Sequence, residues 1–187
     1  AAARVARVSI TPPLVGVRIG LVNIAALLFL ISAFQYLLVP GLLNVTDTSL
    51  STLRIFALIS ALGGALLAIH ERASLRRFVG MLLISDMGMM LFGVVSSTTG
   101  LTGALFQAFN QVVISVVVWT ALALLERPEP TRPAAGDGLL RRRPWASGVF
   151  ICGILSLLGI PPFNGFASKS MIYLGAAEEG RLYAVAL

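Results

Sequence analysis

Five stretches of this chain are too long and too apolar for a water-soluble fold to hide. They cover residues 14–39, 53–69, 78–95, 101–125 and 145–177, and each holds at most one charged residue. A membrane span needs roughly 20 mostly apolar residues, so each stretch reads as one crossing. Pro161-Pro162 interrupts the last crossing, and the apolar run 182–187 reads as a sixth span cut short. The expected fold class is all-α: a polytopic transmembrane helix bundle of about five spans plus a truncated sixth. Composition agrees. Of 187 residues, 57% are hydrophobic and 12% charged, against roughly 25% charged in soluble domains. That balance excludes disordered segments, coiled coils and nucleic-acid-binding modules. A lone Cys152 excludes an internal disulfide, and a lone His70 excludes a histidine-cluster metal site. No Ser-His-Asp set, CxxC or GxGxxG occurs, so no soluble-enzyme chemistry is read.

The connections are short except for residues 126–144, ERPEPTRPAAGDGLLRRRP, a solvated loop rich in Pro, Gly and charge. Spans flank it on both sides, so residues 1–187 read as a single transmembrane domain, a fragment of a longer subunit. Alternating crossings place Arg4, Arg7, Arg72, Arg76, Arg77, Arg127, Arg132, Arg141, Arg142 and Arg143 on the side of the N-terminus. The opposite side receives Arg54 in the first loop and nothing in residues 96–100. By the positive-inside rule the basic side, with loops 70–77 and 126–144, is expected to be cytoplasmic in a cell (inner) membrane.

Polar groups inside the spans are costly in lipid and so are candidates for function. Lys169 stands first, as the only lysine beside 13 arginines. A buried lysine gives up its proton far more readily than an arginine, whose pKa exceeds ~12. Residues 146–177 as one helix would extend roughly 48 Å, well beyond a hydrocarbon core of ~30 Å. Pro161, Pro162 and Gly165 break it just before Lys169, and broken helices at membrane depth mark ion sites in transporters. The competing reading is a lysine that snorkels to the surface. Asp86, in the middle of LLISDMGMML, reads as a protonatable relay group or as a neutral acid bonded to another helix. Gln107, Asn110, Gln111 and Ser115 stand at offsets 0, 3, 4 and 8 in the fourth span. They share one helical face, a polar stripe aimed into the bundle that holds water or bonds helices. Arg18 and Asn23 read as an interfacial anchor and a helix-pairing group.

Residues 156–169, SLLGIPPFNGFASK, resemble the broken-helix signature of the antiporter-like membrane subunits of respiratory complex I, approximately S-L-x-G-I-P-P-x-x-G-F-x-x-K. Membrane-bound hydrogenases and Mrp-type cation/proton antiporters share that superfamily. RRFVGMLLISDMG at 76–88 is similar to its K-R-x-x-A/G-Y-S-S-I-S-H/Q-M-G block. GALFQAFNQVVIS at 103–115 is similar to G-A-L-x-H-x-x-N-H-x-x-x-K. Block order and spacing fit over about residues 10–187, the second half of such a subunit.

The resemblance implies a proton-translocating subunit of a complex I-like or hydrogenase-like redox complex. Buried side chains would pass protons along a hydrated mid-membrane axis, driven by redox chemistry in other subunits. It implies other membrane subunits and the lipid bilayer as partners, no nucleic acid, and no cofactor of its own. Two other readings stay open: a subunit of a Mrp-type antiporter, and a structural subunit that conducts nothing. Lys169 matches a family proton-site lysine. Arg76 stands where the family has a buried lysine, while Gln107, Gln111 and Ser115 replace His, His and Lys. Asp86 replaces His or Gln and adds a titratable group, and Asn23 lies near the position of a further lysine. With three titratable positions lost, the expected proton path is water-based between Lys169 and Asp86, or broken.

Overall fold

The computed structural model describes residues 12–33, 47–71, 74–126 and 143–178. They form six helices: α1 (Pro12–Ala33), α2 (Asp47–His70), α3 (Leu75–Val94), α4 (Thr98–Leu125), α5 (Pro144–Leu158) and α6 (Asn164–Glu178). Leu50–His70, Leu75–Val94 and Thr98–Leu125 are each long and apolar enough to cross a membrane. Large side chains such as Phe29, Phe56, Ile59, Leu66 and Ile69 point outward. A water-soluble monomer does not leave such a surface uncovered. The all-α membrane bundle read from the sequence is the observed architecture. The sixth span expected from 182, residues 34–39 of the first span, and 127–142 of the long loop lie outside the described residues.

Local signals set the helix ends. The Ser97 hydroxyl accepts from Gly100 N at 3.2 Å and caps α4. Pro144 opens α5, where its missing N–H costs nothing. Gly159, at φ 77°, closes α5 in the left-handed region that glycine enters without strain. Gly159 N donates to Ser156 O and Ile160 N to Leu155 O, both at 3.1 Å. This Schellman pairing satisfies two of the last four carbonyls of α5. The chain then turns through Pro161 and Pro162, joined by a cis peptide bond, before α6 begins. Each half-helix has 15 residues, roughly 22 Å, so neither alone spans a ~30 Å core.

α4 is the central element and touches α1, α3, α5 and α6. Gly153 lies against Val118, Asn164 bonds Asn110, Ser168 bonds Gln107, and Gly175 lies against Gly100. The numbers climb on one partner as they fall on the other, so α5, the break and α6 run antiparallel along α4. α2 and α3 form a second close pair, with Ser85 Oγ donating to Ala61 O at 2.7 Å. α2 begins earlier than its apolar run because the polar segment DTSLST also winds into helix. Arg54 therefore sits within α2 and not in a loop. It is buried, and its Nε donates to Val95 O at the end of α3 at 2.8 Å.

Candidate functional site

Asp86 lies 11 residues into α3, roughly 16 Å from its start, near the middle of the bundle. The carboxylate is 1% exposed. Gln107 Nε2, from α4, donates to Asp86 Oδ1 at 2.8 Å and to Oδ2 at 2.9 Å. Lys169 Nζ, from α6, stands 3.2 Å from Asp86 Oδ1, and the lysine side chain is 12% exposed. The same ammonium donates to Leu157 O at 2.6 Å. That carbonyl is one of those the helix break leaves without an intrahelical partner. The break thus supplies an acceptor, and the residue five positions into α6 uses it.

A second tier holds this group in place. Ser168 Oγ donates to Gln107 Oε1 and lies 3.1 Å from Gly165 O. Asn164 Nδ2 donates to Asn110 Oδ1 at 3.1 Å. Gly165 lies so close to the end of α5 that a Cβ there would be 1.8 Å from Ser156 O. Only glycine permits that approach, and it brings the two half-helices together behind Lys169. Asn23 Nδ2, on α1, donates to Gln111 Oε1 at 3.2 Å.

All four stripe residues of α4 are buried. Asn110 Nδ2, Gln111 Nε2 and Ser115 Oγ are buried without a hydrogen-bond partner among the described residues. Such groups call for water in a polar site. Arg76 is not brought to this group. It stands at the first turn of α3 with its side chain 65% exposed, and its Nε donates to Glu126 Oε2 at 2.7 Å. The reason is position. A long cation one residue into a helix reaches outward, and the α4 terminus places a carboxylate beside it. Asp86 and Lys169, expected to communicate through water, are in direct contact.

Sequence reasoning missed Ser168, Asn164 and the Leu157 carbonyl. Asn164 and Ser168 are four residues apart on α6 and so share a face, a polar pair that answers the stripe on α4. Among the described residues, no three His, Cys, Asp or Glu side chains converge. A cleft of about 490 Å³ between α4 and α5 is lined by Val113, Val117, Trp145, Val149 and Cys152.

NADH-quinone oxidoreductase subunit N of Xanthomonas euvesicatoria is 34% identical over 132 residues, 69% of this chain and 27% of the relative. The subunit of the same name from Azobacteroides pseudotrichonymphae is 33% identical over 119 residues, 62% of this chain and 25% of the relative. A putative antiporter subunit mnhD2 of Staphylococcus saprophyticus is 30% identical over 107 residues, 56% of this chain and 21% of the relative. The chain thus spans about a quarter of the length of the curated relatives it matches. No solved structure matches. Residues 12–187 match the family described as NADH:quinone oxidoreductase/Mrp antiporter, TM, and with that match over nearly its whole length the chain belongs to this family of membrane subunits.

Proposed function

We propose that this chain is part of a proton-translocating membrane subunit of a complex I-like NADH:quinone oxidoreductase, and that Lys169 and Asp86 carry the proton through its centre. The observation behind this reading is the buried contact between Lys169 Nζ and Asp86 Oδ1 at 3.2 Å, set at a helix break. A lysine and a carboxylate at that distance exchange a proton without intervening water, and each is able to hold or release one. Gln107 holds the carboxylate on one side, and Leu157 O holds the ammonium on the other. Gln111 and Ser115 continue the polar surface along α4, where they orient water in place of titratable side chains. Relatives bearing the name NADH-quinone oxidoreductase subunit N support the redox-driven setting. The partners are then other membrane subunits of the complex and the surrounding lipid. Loops 70–77 and 126–144 face the cytoplasm, a reading carried by their arginines.

A second reading, a subunit of a Mrp-type cation/proton antiporter, is favoured by the relatives named antiporter subunit mnhD2. In either case the test is proton movement in proteoliposomes of the whole complex carrying Lys169→Met or Lys169→Arg. Both variants should lose translocation while the complex still assembles. Full activity in Lys169→Arg would mean that a fixed positive charge suffices, and the proton-release role would be abandoned. Translocation that depends on sodium but not on a quinone would move the chain to the second reading.

A further inference from the structure

We propose that Gln107 and Ser168 form a reversible hydrogen-bond relay that reads whether Asp86 carries a proton and passes that state to the first turn of α6. The relay rests on the function proposed above, in which Asp86 changes protonation, and it adds two positioning residues to that function.

The amide nitrogen of Gln107 is only a donor. It faces Asp86 Oδ1 at 2.8 Å and Oδ2 at 2.9 Å, so the arrangement seen is that of a deprotonated carboxylate. The amide oxygen, on the other side, accepts from Ser168 Oγ. Ser168 has a second acceptor in reach, Gly165 O at 3.1 Å. A hydroxyl has one proton, so Ser168 serves one oxygen at the expense of the other. Gln107 and Ser168 are fully buried, and no bulk water relieves the choice.

Consider a proton that arrives while Lys169 is still an ammonium. Oδ1 faces that ammonium at 3.2 Å, so the proton binds Oδ2. Oδ2 becomes a donor pointed at another donor, Gln107 Nε2. Turning the amide over removes the conflict. Gln107 Oε1 then accepts from the new O–H, and Nε2 donates to Ser168 Oγ. The Ser168 proton swings to Gly165 O. No covalent bond other than Oδ2–H forms; Oδ1 gives up the Gln107 N–H and keeps the Lys169 ammonium, and no donor is left facing a donor. When Oδ2 loses its proton, the array returns to the arrangement observed.

The relay ends at a sensitive point. Gly165 is the residue that touches the end of α5, and Lys169 leaves α6 one turn further on, on the same face. The charge state of Asp86 is therefore felt at the segment that positions its own proton partner. Lys169 is the charged group in contact with Asp86. α4 and α5 contain no charged residue. The charged and titratable residues of α2, Asp47, Arg54 and His70, lie toward its ends, and Arg18 of α1 is exposed.

The test is pH-difference infrared spectroscopy on the whole complex in its membrane, together with proton flux. The carboxyl C=O band of Asp86 is assigned by its loss in Asp86→Asn. An amide band should rise and fall with it, vanish in Gln107→Met, and shift in Ser168→Ala. Flux should fall roughly tenfold in Ser168→Ala, the scale of one buried hydrogen bond. Ser168→Cys, which keeps a weak donor, should retain part of it. An Asp86 band with no amide partner, or Ser168→Ala flux equal to that of the parent, overturns the relay alone. Absence of the Asp86 band overturns the proposed function, and the relay falls with it.

Discussion

Among the described residues, two ion pairs tie α3 to later helices, and they lie at different depths. Arg76–Glu126 joins the first turn of α3 to the end of α4 at the basic rim, with the guanidinium mostly exposed. Lys169–Asp86 joins the middle of α3 to α6 with both groups buried. The rim pair is screened by water and salt and is worth little. The deep pair cannot be so casual, because each charge left alone in a low-dielectric interior is costly. Its remaining capacity is accordingly filled by Gln107, Leu157 O and, one step further out, Ser168. The residue types follow the depths. Arginine, which never releases its proton, stands at the exposed rim. Lysine stands where a proton would have to leave.

The most severe way to break this difference acts through backbone. Gly165→Ala would place a Cβ 1.8 Å from Ser156 O. Ordinary overpacking costs about 1–3 kcal/mol, and a contact with backbone that cannot step aside lies at the top of that range or above it. The half-helices would separate, and Lys169 would lose Leu157 O. We expect little assembled complex on native gels and no translocation from what remains. Normal assembly with normal flux would show that the close approach at the break does not hold the deep pair together.

The next test separates stability from transport within the deep pair. Lys169→Met alone leaves Asp86 buried without its cation and should destabilise the protein by ~3–5 kcal/mol. Adding Asp86→Asn removes the stranded charge and keeps an acceptor for Gln107, so most of that loss should return. Translocation should not return in either variant. Thermal unfolding of the detergent-solubilised complex and flux in proteoliposomes measure the two quantities. If the double variant is no more stable than Lys169→Met, the pair is not coupled as the 3.2 Å contact indicates.

Much of this was legible in the sequence, for physical reasons. A span is a run of apolar residues, so the helices appear wherever the composition puts them. Pro161-Pro162 followed by Gly165 forbids a continuous helix, so the break is local information. Lys169 stands out because the other cations are all arginine. The contact between Asp86 and Lys169 was not legible. It spans 83 residues and depends on how α3, α4 and α6 are rotated against one another, which hydropathy does not set. The stripe on α4 was visible as a spacing. Its partners on α6, Asn164 and Ser168, were hidden among small residues that look like ordinary packing. Arg76 matches a family position that holds a buried lysine, but its place at the start of α3 turns it outward to Glu126, which a motif position does not show.

The mildest perturbation is at the rim, and it sharpens the comparison most cleanly. Arg76→Gln removes one member of an exposed pair whose Nε–Oε2 distance is 2.7 Å. Exposed pairs contribute roughly 0.2–1 kcal/mol, less as salt rises. The melting temperature should therefore fall by a degree or two at low salt and match that of the parent in high salt. Glu126→Gln should behave alike, since either change opens the same contact. Translocation should stay close to the parental rate in both, because neither group reaches the Asp86–Lys169 centre. The two variants also separate a pair effect from a charge effect: Arg76→Gln removes a positive charge from the basic rim and Glu126→Gln removes a negative one. Equal stability losses with unchanged flux would assign the rim pair to holding α3 against α4 and to no part of proton transfer. A flux loss in Arg76→Gln as deep as that of Lys169→Met would mean that protons enter past Arg76, and the difference in depth would no longer mark a difference in role.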